Sequence, residues 1–146
     1  MKARTILGVI GMMFVLVQSG IAGGSGDIQK YFNDTACKVK ATAEPSQKRE
    51  ILNSSLQIMS KTLDKVQGSL LISKEDRASI NRFKAALQEK QDELTGSNGY
   101  ERVSDTQLNA FSDYVVQDME QASKTITVTV LTAILIAVIA ILLIAR

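Results

Sequence analysis

The stretch TITVTVLTAILIAVIAILLIA, residues 125–145, carries no charge and is closed by Arg146. As a helix it would be about 31 Å long, the thickness of a bilayer's hydrocarbon core. The rest of the 146-residue chain is too small and too polar to surround so long an apolar rod. The stretch therefore reads as a C-terminal transmembrane helix, with residue 146 as its cytoplasmic end. Everything upstream becomes a domain held at a membrane surface.

The opposite end reads as a secretory signal over residues 1–22. Lys2 and Arg4 supply a short positive segment, Ile6 to Val17 an apolar run, and Gly20-Ile21-Ala22 the small residues of a cleavage site. An uncleaved anchor is the alternative, suited less well by a short run containing Gly8 and Gly11. Residues 23–26, Gly23-Gly24-Ser25-Gly26, follow as a linker. In either case Lys2, Arg4 and Arg146 lie on the cytoplasmic side, as the positive-inside rule asks, and residues 27–124 face outward. The expected location is a single-pass membrane protein with an extracytoplasmic domain, periplasmic if the source is bacterial. A soluble protein is excluded on this reading.

Of 17 basic residues those three belong to the ends, so 14 face all 15 acidic residues and the outward domain is near −1. That balance disfavours nucleic acid as a partner. Cys37 is the only cysteine, so no intrachain disulfide forms. It stands either as a small buried hydrophobe or as one half of an intermolecular disulfide. It lies too far beyond the apolar signal run to carry a bacterial lipid anchor.

The outward domain has helical spacing throughout. Asp27 is the expected N-cap of a first helix with Ile28, Tyr31, Phe32, Thr35, Ala36 and Val39 on one stripe, running to about Ala43 before Pro45. A second helix, from about Ser46, carries a heptad seam of Leu52, Leu56, Met59, Leu63, Val66 and Leu70, widened by Ile51 and Ile58 and ended near Gly68. Ser73 opens a third helix with Ile80, Phe83, Leu87 and Leu94 buried, stopped by Gly96-Ser97-Asn98-Gly99. Ser104-Asp105-Thr106-Gln107 has the form of a capping box for a fourth, with Leu108, Phe111, Val115, Met119, Ala122 and Ile126 continuing into the apolar stretch. The expected architecture is all-α: an up-down bundle of three to four helices, whose last helix continues without a break from Asp105 to Ala145.

Catalytic chemistry has little to work with. Histidine is absent, which removes imidazole-based triads and most zinc sites, and no Gly-rich phosphate loop joins a strand to a helix. Glu75-Asp76, Asp92-Glu93 and Asp118 with Glu120 are acid pairs whose members diverge on a helix, so they read as solvated. Neither an enzyme nor a cofactor nor a metal is expected. Asn33 and Asn53 open sequons that matter only in a eukaryotic host.

Within the apolar stretch Thr125, Thr129, Ala133, Ala137 and Ala140 align small residues on one face, a pattern that lets helices pack closely in lipid. The partners implied are the bilayer and either another membrane or envelope protein or a second copy. The expected function is a membrane-anchored interaction or structural module, an accessory subunit or scaffold of an envelope complex. The layout is also similar to the four-helix ligand-binding domains of bacterial chemoreceptors. That similarity is architectural and implies a small-ligand sensor acting through a separate transducer. A membrane-remodelling or lysis protein is the third reading.

Overall fold

The computed structural model describes residues 25–69 and 72–144. Five α-helices follow one another: α1 (Ser25–Ala41), α2 (Pro45–Gln67), α3 (Lys74–Thr95), α4 (Leu108–Ser123) and α5 (Val128–Ile144). A 3₁₀ turn, Asp105–Gln107, precedes α4. Among the described residues there is no strand, as the helical spacing requires.

Helices α1 to α4 close a ring, each packed on the next and α4 packed on α1. α1 is thus a full wall of the bundle. Every described seam position is buried: Leu52, Leu56, Met59, Leu63 and Val66 on α2 meet Phe32, Ile80, Phe83, Leu87, Leu108, Phe111, Val115 and Met119 in one core. Leu70 lies outside the described residues. Ion pairs on the rim match the ring order, with Lys40 on Asp113 at 2.6 Å across α1–α4 and Lys84 on Asp64 across α2–α3.

The helix ends follow local chemistry. Ser25 and Gly26 belong to α1 rather than to a linker. Pro45 occupies the first turn of α2, where its missing N–H is not needed. Ser73 caps α3 by accepting the Asp76 N–H at 3.1 Å. Gly96 ends α3 in the left-handed region at φ 75°, and its N–H and that of Ser97 both donate to the Asp92 carbonyl. The capping box expected at Ser104 does not form. Its hydroxyl pairs with Thr106 at 3.2 Å, the next residues make a 3₁₀ turn, and the α-helix starts only at Leu108.

The largest departure from expectation lies at Lys124–Thr127. The continuous helix from Asp105 to Ala145 is broken there, and α5 runs back along α2 and touches α1. The breaker is a run of β-branched residues, Thr125 to Val130, which lose rotamer freedom in a helix. Thr127 then acts as a cap, its hydroxyl accepting the Val130 N–H at 3.4 Å. Ile126 is buried and pins the turn into the core, while the Ser79 hydroxyl donates to the Thr125 carbonyl at 3.2 Å.

Candidate membrane-interaction surface

The four ring helices each turn polar side chains outward: Lys30 and Asn33 on α1, Gln57 and Lys61 on α2, Arg77 and Asn81 on α3, Asp113 and Gln117 on α4. α5 does not. Twelve of its seventeen residues are Leu, Ile or Val, the rest Ala or Thr. Val130, Leu131, Ile134, Val138 and Leu142 are buried, yet Ile136, Leu143 and Ile144 on other faces are 61 %, 50 % and 77 % exposed. A helix that is apolar all round belongs either inside a larger protein or in lipid. Here one side has protein and the other side has water.

Length sets a second condition. Among the described residues no helix is long and apolar enough to cross a membrane. α5 has 17 residues, roughly 25 Å, against a hydrocarbon core of about 30 Å. The three residues of the stretch that precede it, Thr125 to Thr127, are taken by the turn.

The small-residue face does not stand apart. Ala133 and Ala137 pack half-buried against the bundle core and Ala140 is also half-buried. Thr125 is exposed in the turn, and Thr129 lies in the first turn of α5. Part of the stripe thus serves close approach to α2 and α1. Cys37 is exposed on α1, which corrects its reading as a small buried hydrophobe. The signal segment, residues 1–22, and the last two residues lie outside the described residues.

Hydrogen bonds organise part of the interior, two of them from Tyr31 and Thr35 on the stripe of α1. Thr35 and Ser55 share a hydrogen bond of 2.9 Å between α1 and α2, and the Tyr31 hydroxyl donates to the Ser55 carbonyl at 2.9 Å. Burial pushes the Tyr31 phenol above its ordinary range, the bond with Ser55 acting the other way. The hydroxyls of both sequons are therefore used in packing, with Asn33 exposed and Asn53 half-buried. Arg49 ties the start of α2 to the α3–α4 connection through the Leu94 and Val103 carbonyls and the Asp105 carboxylate.

The acid pairs divide. Asp92 is buried and accepts from Gln88 and Asn98. Glu93 and Asp118 converge on Lys90 at 2.8 Å and 2.7 Å, and its ammonium sits 3.8 Å from the centre of the Tyr114 ring. Burial works against the charge on Lys90, but hydrogen bonds to Asp118 and Glu93 outweigh it and hold the group above the usual lysine range. A lysine held protonated in this way serves as an internal counter-ion between α3 and α4 and is a poor base. Asp76 accepts from Thr127 at 3.3 Å, beside the turn. Among the described residues no three acidic or thiol groups converge to hold a metal ion. No protein-family model, no curated protein and no solved structure matches the chain.

Proposed function

We propose that the protein is a helical interaction or structural module that attaches to a lipid bilayer through residues 125–145. One observation carries this reading. Among the described residues, α5 alone of the helices exposes large aliphatic side chains to water while burying others against protein, and water is the one neighbour they do not suit. The ring α1–α4 is then the part presented to a partner, an envelope or membrane protein or a second copy. Its polar surface fits a protein held close to a membrane better than one buried in it. A signal over residues 1–22 would place that ring on the outer side of the membrane.

The test is extraction of membranes from cells expressing the chain. The full chain is expected to remain with the lipid fraction in alkaline carbonate, and a chain stopped after Lys124 is expected to leave it. Release of the full chain into the supernatant would remove the attachment reading. Crosslinking in the same cells identifies the partner, and a chain that captures only itself assigns the surface to self-association.

A further inference from the structure

We infer that α5 is a stowed membrane helix with two resting places, the α1–α2 face of its own bundle and the bilayer, and that Lys124–Thr127 is the hinge between them. The inference rests on the attachment reading and adds its regulation. Three observations point the same way.

First, the ring does not need α5 in order to close. α1 packs on α4, and the core of Phe32, Leu56, Ile80, Phe83, Leu108 and Met119 lies within the four ring helices. α5 lies outside that circuit, along α2 and against α1. Val130, Leu131, Ile134, Val138 and Leu142 of α5 join the same buried core from outside, so its leaving uncovers the α1–α2 side of that core while the α1–α4 contacts remain.

Second, apart from the buried Ile126, the side-chain contacts that hold the hinge are long hydrogen bonds. The Thr127 hydroxyl is 3.3 Å from Asp76 and 3.4 Å from the Val130 N–H, and Ser79 reaches the Thr125 carbonyl at 3.2 Å. These contacts lie at the long end of hydrogen-bond geometry. β-branched residues disfavour helix in water but are common in membrane helices, where every backbone group must bond within the segment.

Third, the described part of the stowed helix falls short of the hydrocarbon thickness, and the released form reaches it. With Thr125 to Thr127 helical, residues 125–144 extend to roughly 30 Å, matching the hydrocarbon thickness. Insertion and straightening of the hinge are thus one event. Leaving also bares the α1–α2 face, so the surface that a partner helix would use becomes available only on the membrane.

Spin labels read this directly. Cys37 is exposed on α1 and accepts one label as it stands; Ile136→Cys, at an exposed position of α5, accepts the second. In water the stowed helix predicts one short separation, on the order of 20 Å, because α5 lies against α1. With phosphatidylcholine vesicles it should shift to roughly 35 Å or more, since each label then lies well to its own side of the hinge. Flotation of the same sample separates the two claims. A chain that floats while keeping the short separation overturns the two-place inference and leaves attachment standing. A chain that does not float overturns attachment itself. A long separation already in water also overturns the inference, since α5 would then have no place on the bundle. The hinge variant Thr125→Ala/Thr127→Ala, which favours continuous helix, should raise the long-separation fraction at limiting lipid. An unchanged fraction would count against the hinge.

Discussion

Position 90 places a lysine where the spacing asks for a leucine. Ile80, Phe83, Leu87, residue 90 and Leu94 fall at intervals of three and four, so Lys90 occupies a core register and is 1 % exposed. The spacing was legible in the sequence; the charge concealed it, because its carboxylate partner Asp118 comes from α4 and is near only after folding. Lys90→Ala leaves Glu93 and Asp118 facing each other without a cation. Because Asp118 is partly exposed, the cost should be about 2–3 kcal/mol, below that of a fully buried pair. Lys90→Met keeps the packed volume and should cost less than Lys90→Ala, although it leaves the same two carboxylates without a cation. Urea midpoints measure both. The lysine's raised pKa gives the sign with pH. Its contribution is complete below the unfolded value of about 10.4 and is lost as pH rises through the higher folded value. The gap between the parent chain and Lys90→Ala should hold from pH 7 to about 10 and narrow above it. Gly96 is a second single-residue case. At φ 75° an added Cβ would meet the Arg102 Cβ at 2.8 Å, so Gly96→Ala should cost about 2 kcal/mol or more in the same assay.

Among the elements, three of the four ring helices could be placed from sequence to within a few residues, because their ends carry chemistry that acts locally. Pro45, Ser73 and Gly96 fix a start or a stop whatever the rest of the chain does. Ser104 does not cap through its side chain because the Gln107 N–H donates to the Ser104 carbonyl in a 3₁₀ turn, while the hydroxyl pairs with Thr106. The break at Lys124–Thr127 was hidden for a different reason. No glycine or proline marks it, and its apolar face, Val115, Met119, Ala122 and Ile126, runs through at helical spacing. What decides it is a sum of small preferences, the β-branched run and the Thr127 cap, together with a place for α5 on α2 that sequence spacing does not display. Thr125→Ala/Thr127→Ala removes the cap and two β-branched residues, and should bring amide exchange at residues 124–127 down toward that of α4. Exchange that stays fast there would mean that burial of Ile126, not local propensity, makes the turn.

For the whole molecule, composition and periodicity identified an all-helical bundle, and Thr125–Ala145 was conspicuous as the apolar stretch. Where that stretch rests in water was not legible. A sequence shows how apolar a helix is, not whether its neighbours form a surface able to receive it. Insertion should gain about 4–7 kcal/mol from the twelve Leu, Ile and Val of α5, and it relieves the exposure of Ile136, Leu143 and Ile144. Against this stands the apolar contact given up on α2 and α1. Lys40, Lys48 and Arg49 bind the ring together by ion pairs and hydrogen bonds that α5 does not share, so the bundle should keep its helicity as the last helix moves.

Contact of α5 with lipid can be read by a single optical probe, because the chain contains no tryptophan. Ile136→Trp puts one indole on the exposed side of α5. In water its emission should be that of a largely solvated indole. With phosphatidylcholine vesicles carrying deeply placed bromines it should shift to the blue and be quenched, while far-ultraviolet circular dichroism of the bundle stays unchanged. Solvated, unquenched emission at saturating vesicle concentration would contradict the account.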